Sequence, residues 1–380
     1  MKEGWEYKKI KDIGSVIAGT TPNTNVAEYW DGNLCWISPA ELDGNHYLYD
    51  SRKKITEAAV KAKSLKLLPE GTVILSSRAP IGKVVINKVP TYCNQGFKCV
   101  VCGKEIYNEF LYWWFWGKTE YLNSLGTGAT FKEISKKVVE EILIPVPPLS
   151  EQQSIVDYLD AAFAKIDAMK ANAEKALNEA KALFQASLRE MLEPKEGWEE
   201  KMLKEICRVI NGRAYSKDEM LKQGKYRLLR VGNFFTNDSW YYSDLELEED
   251  KYCDKGDLLY AWSASFGPRI WDGEKVIYHY HIWKMVCSKD IDKYFLCYWL
   301  DSDELKQQTM SNLHGATMAH ITKGIIEAAH VSYPSLSEQQ SIVETLDSLK
   351  SKVDRLQANS DKISQECDAL KQAILKQVFE

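Results

Sequence analysis

One octapeptide occurs twice in the chain and constrains its fold more than any other feature. Leu-Ser-Glu-Gln-Gln-Ser-Ile-Val stands at residues 149–156 and again at 336–343, shortly after Pro148 and Pro334. Each copy begins a stretch of about 40 residues without proline or glycine, which predicts a long helix. The serine at the second position is placed to cap the helix N-terminus, and the following glutamate suits the positive end of the helix dipole.

Apolar residues recur along both predicted helices at alternating steps of four and three. They stand at Ile155, Leu159, Ala162, Ile166, Met169, Ala173, Ala176, Ala180 and Leu183, and at Ile342, Leu346, Leu349, Val353, Leu356, Ile363, Leu370 and Ile374. This pattern is a heptad seam, which requires a partner helix. Two matched seams in one chain predict that the helices pack on each other as an antiparallel coiled coil.

The repeat extends beyond the helices. Lys-Glu-Gly-Trp-Glu occurs at residues 2–6 and 195–199, and Gly-Ala-Thr at 128–130 and 315–317. The chain is therefore expected to hold two similar mixed α/β domains, each followed by a long helix, so that its class is α+β with a pseudo-two-fold internal repeat. The predicted boundaries are 1–145 and 195–332 for the domains, and 146–194 and 333–380 for the helices.

Within the domains, β-branched runs predict strands and apolar periodicity predicts helices. Strands are expected at 73–75, 84–86 and 276–280, and helices at 56–67, 108–124 and 294–308. The aromatic run at residues 112–116 is typical of core packing on a helix rather than of a stacking surface.

Motifs for catalysis are missing from the sequence. Gly117-Lys118-Thr119 resembles the end of a P-loop, but Tyr112 occupies the position of the first glycine. Pro147-Pro148 is followed by leucine, so the tetrapeptide of an amino-methyltransferase is not formed. The cysteines and histidines show no spacing that predicts a metal site. The sequence indicates a binding protein rather than an enzyme.

Four polar loops that contain glycine or histidine recur at equivalent places in both domains, in order 19–23, 76–83, 94–98 and 128–132 in the first domain and 212–217, 262–269, 279–281 and 315–320 in the second. Their hydroxyl, amide and basic side chains are suited to contact base edges and phosphates. The candidate DNA-binding residues are Thr20, Thr21, Asn23, Ser77, Arg78, Lys83, Asn94, Gln95, Thr130 and Lys132 in the first domain, and Arg213, Tyr215, Lys217, Ser263, Ser265, Arg269, His279, Tyr280, His281 and Thr317 in the second.

The charge balance argues against a protein that binds DNA alone. The net charge of −5 is distributed as +3 over residues 1–145, −3 over 146–194, −3 over 195–332 and −2 over 333–380. Affinity for DNA depends on cationic side chains near the phosphates. A weak binder that works with basic partner subunits fits this balance better.

Together, the two octapeptide helices, the Glu-Gly-Trp openings, the Ser-Arg-Ala-Pro-Ile-Gly segment at 77–82 and the Gly-Ala-Thr loops resemble the DNA-specificity subunit of Type I restriction–modification enzymes. The resemblance covers essentially the whole chain. It implies that each domain is a target recognition domain for one part of a split DNA sequence, and that the helices set the distance between the parts. Ser263 and Ser265 replace Arg78 and Pro80 of the first domain, which is a departure from that pattern.

The resemblance also implies partners and cofactors. The expected partners are double-stranded DNA, two adenine-N6 methyltransferase subunits and two ATP-dependent restriction subunits, with no membrane. S-adenosylmethionine, ATP and magnesium are expected in those partner subunits and not in this chain, which would be non-catalytic. The odd number of cysteines and the polar N-terminus favour a cytoplasmic protein.

Two alternatives remain open from the sequence. One is a stand-alone regulator that binds a bipartite DNA site, although the acidic second half disfavours it. The other is a carbohydrate- or peptide-binding scaffold, which the twelve tryptophans suggest.

Overall fold

The computed structural model describes residues 4–42, 44–78, 80–128, 132–236, 238–263, 265–310 and 321–380. The chain forms two compact units: unit 1 is Met1–Ala173 with Asp361–Glu380, and unit 2 is Glu174–Ser360. Each unit contains a globular domain, the first part of one long helix and the last part of the other.

The first domain and the first long helix contain, in chain order, β1 (Glu6–Lys9), α1 (Ile10–Ile13), β2 (Gly14–Ala18), β3 (Trp30–Ile37), β4 (Tyr47–Leu48), β5 (Lys53–Ile55), α2 (Glu57–Lys63), β6 (Val73–Ser76), β7 (Val84–Asn87), β8 (Tyr92–Cys93), β9 (Phe97–Cys102), α3 (Asn108–Gly117), α4 (Thr119–Leu125), α5 (Lys136–Glu141), β10 (Leu143–Val146) and α6 (Leu149–Leu192). The second domain and helix contain β11 (Glu199–Met202), α7 (Leu203–Ile206), β12 (Cys207–Asn211), β13 (Tyr226–Leu229), α8 (Val231–Phe235), β14 (Tyr241–Ser243), β15 (Tyr252–Cys253), β16 (Leu258–Ser263), β17 (Ser265–Ile270), β18 (Val276–Tyr278), β19 (Ile282–Cys287), α9 (Lys293–Asp301), α10 (Asp303–Met310), α11 (Lys323–Glu327), β20 (His330–Tyr333) and α12 (Leu336–Phe379).

Most of the strand order of the first domain recurs in the second, although β4 extends a sheet only in unit 1 and β15 only in unit 2. Unit 1 has the sheets β2-β9-β6-β7-β4 and β5-β3-β8, and unit 2 has β12-β19-β16-β17 and β14-β13-β18-β15. A short antiparallel pair, β1 with β10 or β11 with β20, joins the two ends of each domain. The predicted fold class, two similar mixed domains with two long helices, is confirmed.

The central strands are apolar on both faces because both faces of the sheet are covered. Successive side chains of a strand point to opposite faces. In β6, Val73 and Leu75 join a core with α3 and the long helices, whereas Ile74 joins a second core with Ile37 and Phe97. The aromatic run of α3 is part of the first core, as its sequence predicted.

The long helices begin at Leu149 and Leu336, two residues earlier than a cap at Ser150 or Ser337 requires. The first turn of α6 includes Ser150, and the amide of Glu151 donates to the carbonyl of Pro148 at 2.9 Å. In α12, the amide of Glu338 donates to the hydroxyl of Ser335 at 3.4 Å. The prediction that Ser150 and Ser337 are the N-caps is therefore wrong, because the helical turn already starts at the preceding leucine.

The first glutamine of each octapeptide is fully buried, and its side-chain hydrogen bonds attach the helix to its domain. Gln152 Oε1 accepts from the Tyr107 amide at 2.8 Å, and its Nε2 donates to the carbonyls of Glu105 and Pro147 at 2.9 and 2.8 Å. In unit 2 the equivalent bonds of Gln339 join Asp292, Asp290 and Pro334, at 2.7, 3.1 and 2.8 Å. We call Gln152 and Gln339 the glutamine clamps.

Segments of α6 and α12 pair antiparallel within each unit. In unit 1, Lys371 bonds to Asp167 at 2.5 Å and Lys170 lies 3.6 Å from Asp368. In unit 2, Lys181 donates to Gln357 at 2.7 Å. Residue numbers rise along one helix as they fall along the other, as the predicted antiparallel coiled coil requires.

The packed seam departs from the predicted heptad positions. Met169, Leu183, Leu356 and Leu370 are 58%, 62%, 37% and 48% exposed. Positions one residue later, such as Leu177 and Phe184 on α6, face the core instead. The displaced positions on α6, Val156, Phe163 and Leu177, still recur at multiples of seven residues, so the heptad period is kept and one of its two seam positions lies one residue later than predicted.

Two predicted helices are broken in the structure. The region 108–124 forms α3 and α4, and 294–308 forms α9 and α10. At the first break, a Cβ on Gly117 would lie 3.2 Å from the side chain of Leu375, so the close approach of α12 favours glycine there. Among the described residues, no helix is long and apolar enough to cross a membrane.

Candidate functional site

In unit 1 the first and third polar loops lie side by side beyond the ends of β2 and β8. The Thr20 amide donates to the carbonyl of Cys93, and Asn94 Nδ2 donates to Thr21 Oγ1, both at 2.8 Å. The side chains of Thr21 and Gln95 are also hydrogen-bonded. A Cβ on Gly19 would lie 1.9 Å from the Asn94 carbonyl oxygen, so only glycine allows this approach. The structure thus joins four candidate residues in one surface.

The second and fourth loops meet the third around Ser77. Its amide and hydroxyl donate to the carbonyl of Gly96 at 2.8 and 3.0 Å, and Lys98 Nζ donates to its hydroxyl at 3.0 Å. Lys98 also bonds to Glu133 at 3.1 Å, and the Arg78 guanidinium lies 3.9 Å from the same carboxylate. Ser77 is fully buried, so it holds the loops together rather than presenting an exposed hydroxyl.

The other candidates of the first domain are more peripheral. Asn23 is exposed, and its carbonyl accepts from Trp30 Nε1 at 3.2 Å. Lys83 is exposed but donates to the carbonyl of Leu42 at 2.8 Å. Lys132 is exposed, and Thr130 lies outside the described residues.

Unit 2 repeats this arrangement with different side chains. The Arg213 amide donates to the carbonyl of Tyr278 at 3.1 Å, and the Tyr280 amide donates to the carbonyl of Arg213 at 3.0 Å. These bonds bring the first and third loops together, as in unit 1. The Arg213 guanidinium forms two bonds with Glu219, at 2.7 and 3.0 Å, and lies 5.0 Å from the ring centre of Tyr215. Its positive charge is therefore largely neutralised.

The turn from His279 to His281 forms an aromatic group with Trp262. The predicted strand 276–280 ends at Tyr278, so both histidines lie in the turn and not on a strand. Trp262 Nε1 donates to the carbonyl of Tyr280 at 2.8 Å, and its ring lies 5.0 Å from that of His281. The sequence placed Trp262 in a polar loop but did not single it out, because an aromatic residue there is more often core.

A second missed pair stands beside this group. Arg230 is exposed at the end of β13, and its guanidinium lies 5.4 Å from the ring centre of Tyr241. The His279 amide donates to the carbonyl of Leu229 at 2.9 Å, so Arg230 borders the turn. The sequence around Arg230 contains no recognisable motif. Its position beside the turn becomes evident only from the pairing of the strands.

The remaining candidates of the second domain are not all part of the loop cluster. Ser263 is buried, whereas Ser265 is exposed at the turn between β16 and β17. Arg269 lies at the other end of β17 and bonds to the Phe234 carbonyl at 2.8 Å and to Asp272 at 3.0 Å. Lys217 is exposed, and Thr317 lies outside the described residues.

Burial and ion pairing set the protonation of this site. Burial, and then the nearby His281 and Arg230, lower the pKa of His279 to about 4. The Arg213 guanidinium lowers the pKa of Glu219 to about 2. His279 is therefore neutral near pH 7 and can both donate and accept hydrogen bonds. Among the described residues, no group of His, Cys, Asp or Glu is arranged to hold a metal ion.

Acidification is expected to destabilise unit 2 through His279. The ordinary histidine pKa of about 6.5 applies to the unfolded chain, so the unfolded state binds the proton more tightly than the folded state. The contribution of neutral His279 to the free energy of unfolding is fully present above about pH 6.5 and is lost progressively as the pH falls toward 4. Urea unfolding of the wild type and of His279→Asn at pH 7 and pH 5 measures it. An equal pH dependence in both proteins would contradict this assignment.

Comparison with known proteins places the chain in a family. A family model described as the Type I restriction modification DNA specificity domain matches residues 2–179 and 195–365. The chain belongs to this family. The two matches cover both globular domains, in agreement with the internal repeat.

Relatives in this DNA specificity family resemble the chain to different extents. The specificity subunit of the Type I restriction enzyme MjaIX from Methanocaldococcus jannaschii is 46% identical over 159 residues, which are 41% of this chain and 37% of that protein. The EcoR124I/EcoR124II specificity subunit from Escherichia coli is 34% identical over 167 residues, 42% of this chain and 41% of that protein. In both, the aligned region spans less than half of the relative. The MjaVIII specificity subunit from M. jannaschii is 26% identical over 379 residues, with 91% and 86% coverage.

Solved structures share the family fold. A chain from a structure on complex assembly and conformational transition of the type I R-M system has a TM-score of 0.80 at 20% identity, covering 100% of this chain and 98% of that one. The HsdS subunit from Thermoanaerobacter tengcongensis has a TM-score of 0.63 at 18% identity, with 100% and 97% coverage. At this identity, the likeness concerns the fold alone.

Proposed function

We propose that this protein is the DNA-specificity subunit of a Type I restriction–modification enzyme and that each domain reads one part of a split DNA target. The observation that carries this proposal is the repeated loop cluster. In the first domain the loop after β2 and the loop before β9 are joined by a backbone hydrogen bond between Thr20 and Cys93. In the second domain the loop after β12 and the loop before β19 are joined in the same way, by Arg213 and Tyr278. The two domains thus share one arrangement of loops but present different side chains on it. This difference is what two domains that bind two different half-sites require.

The two surfaces offer different chemistry to DNA. The first presents hydroxyl and amide groups from Thr20, Thr21, Asn94 and Gln95, which can bond to base edges in a groove. The second presents the partly exposed aromatic and imidazole rings of the 279–281 turn. We infer that the buried Ser77 and Ser263 position these loops and do not contact DNA themselves.

We infer that catalysis resides in partner subunits. Adenine-N6 methyltransferase subunits with S-adenosylmethionine, and restriction subunits with ATP and magnesium, would supply the chemistry in the cytoplasm. The lack of methyltransferase and P-loop motifs in the sequence supports a non-catalytic role. The net charge of −5 supports dependence on partners for DNA affinity.

Each unit exposes an equivalent apolar pair on its long helices. In unit 1 the pair is Met169 and Leu370, which adjoin the ion pairs of Lys170 and Lys371, and in unit 2 it is Leu183 and Leu356. Large exposed apolar side chains at repeated positions favour an interaction surface. Two equivalent surfaces would suit two copies of the methyltransferase partner.

The tryptophans give little support to a carbohydrate-binding scaffold. Seven of the twelve are buried, and the other five, Trp30, Trp116, Trp198, Trp240 and Trp262, are half-buried rather than exposed. A sugar platform would require exposed indole faces. The stand-alone regulator remains distinguishable by experiment.

Exchange of residues 1–145 for the equivalent domain of a relative tests the proposal. In cells that also express the methyltransferase subunit, methylation mapping should show one half of the target changed and the other half unchanged. The reciprocal exchange of residues 195–332 is the matched control and should change only the other half. Simultaneous change of both halves would contradict independent reading. Methylation that does not depend on this chain would contradict the proposed function.

A further inference from the structure

One exposed segment of the first domain, residues 52–66, carries positive charge that the described part of the domain neutralises only at Lys54. Arg52, Lys53, Lys61, Lys63 and Lys66 lie on or beside β5 and α2, and all five are exposed. Within the part of the chain that the structure describes, none of them forms an ion pair, although the neighbouring Lys54 pairs with Asp50. We call these five residues the basic strip.

The basic strip starts at the edge of the loop cluster. Lys53 is paired in register with Trp36, whose Nε1 donates to the carbonyl of Thr20 at 3.2 Å. Lys53 Nζ also lies 5.9 Å from the ring centre of Trp30, which donates to the carbonyl of Asn23 at 3.2 Å. From there the strip continues onto α2, whose last turn carries Lys61 and Lys63.

The corresponding segment of the second domain has the opposite charge. β14 pairs with β13 as β5 pairs with β3, and residues 244–250 after β14 include five acids. Those acids neutralise lysines around them: Glu246 pairs with Lys225, Glu249 with Lys275 at 2.7 Å, and Asp250 with Lys251 at 3.3 Å. Nothing equivalent compensates the basic strip in the described part of unit 1.

We propose that the basic strip binds the phosphate backbone beside the first half-site, so that the first domain supplies most of the salt-dependent part of the affinity for DNA. This inference rests on the proposed function and adds an asymmetry to it. Unpaired lysines next to a base-reading surface release counterions when they meet phosphates, whereas lysines already paired with carboxylates release few. The second domain would then contribute fewer such contacts, from Lys217 and Arg230, beside its histidine and aromatic groups.

The test uses the complex of this protein with its methyltransferase subunits. It measures how the affinity of that complex for DNA depends on the concentration of potassium chloride. The variant Lys53→Ala/Lys61→Ala/Lys63→Ala removes three unpaired lysines. Its matched control, Lys225→Ala/Lys251→Ala/Lys275→Ala, removes three paired lysines from the equivalent face. Both are measured on the duplex that carries the mapped target and on a duplex with that target scrambled. Circular dichroism shows whether each variant is folded.

The expected result is a log–log salt slope that is less steep by about 2 to 3 for the first variant, because each phosphate contact contributes about 0.9. Its affinity should fall by the same factor on both duplexes, and the control should keep the wild-type slope. An unchanged slope in the first variant, or an equal loss in the control, would overturn the inference. If the wild-type complex does not prefer the target over the scrambled duplex, it is the proposed function that fails.

Discussion

Replacement of Leu346 by aspartate is expected to lower the free energy of unfolding of unit 2 by about 3 to 5 kcal/mol. Leu346 is fully buried among Trp299, Ile342 and their neighbours, at the point where α12 contacts the second domain. The substitution removes apolar contacts and forces a carboxyl group into that core. Leu159 holds the equivalent position in unit 1, and Leu159→Asp should have a loss of similar size. Urea titration followed by circular dichroism measures both.

Leu356 provides the control on the same helix. It is 37% exposed, so Leu356→Asp is expected to change the free energy of unfolding by less than about 0.5 kcal/mol. If the methyltransferase partner docks on this surface, the variant should remain folded and bind that partner more weakly. Equal destabilisation by Leu346→Asp and Leu356→Asp would contradict the packed seam described for the helices.

Loss of a glutamine clamp should be almost as costly. Gln152→Met keeps the length of the side chain but leaves the Tyr107 amide and the carbonyls of Glu105 and Pro147 without the partner they have in the folded protein. Each buried polar group without a hydrogen bond costs about 1 to 3 kcal/mol, so a total loss of about 3 to 5 kcal/mol is expected. Gln339→Met should cost unit 2 a similar amount. Denaturant unfolding measures both variants.

The adjacent glutamines are matched controls for this prediction. Gln153 is exposed and donates to Asp157 at 2.9 Å, and Gln340 is also exposed. Gln153→Met and Gln340→Met are therefore expected to leave stability within about 0.5 kcal/mol of the wild type. A clamp variant that is as stable as these controls would show that water or another group replaces the lost bonds.

The sequence was sufficient for the long helices and for the duplication, because helix-forming residues and repeated motifs are local features. It did not locate the seam on Met169, Leu183, Leu356 and Leu370 correctly. The seven-residue period is kept in the structure, but Val156 and Phe163 are buried where the pattern indicated Ile155 and Ala162, because periodicity alone does not choose between two adjacent apolar residues. The glutamine clamps were also not predicted, since their partners, such as Asp292 and Tyr107, are distant in sequence.

For the candidate site, the sequence indicated a set of loops but not which of their side chains are exposed. Loop chemistry indicated Thr21 and Asn94, which the structure brings together. It could not show that Ser77 is buried or that Arg269 bonds to Phe234 and Asp272, because those facts depend on strand pairing. The net charges of the two domains already indicated that the first is the more basic. A net charge does not show, however, which cations are paired with carboxylates and which are not.

The composition of unit 1 has a consequence for biosynthesis. Residues 361–380 belong to this unit, and Leu375, Val378 and Phe379 close its core, yet the ribosome makes them after the whole of residues 174–360. At roughly 5 to 20 residues per second, the domain that is translated first waits on the order of 10 to 40 s for its last helix. During that interval Phe110 and its neighbours lack their cover, so the nascent chain presents an apolar surface that chaperones can bind. The N-terminal domain is thus the last to be completed.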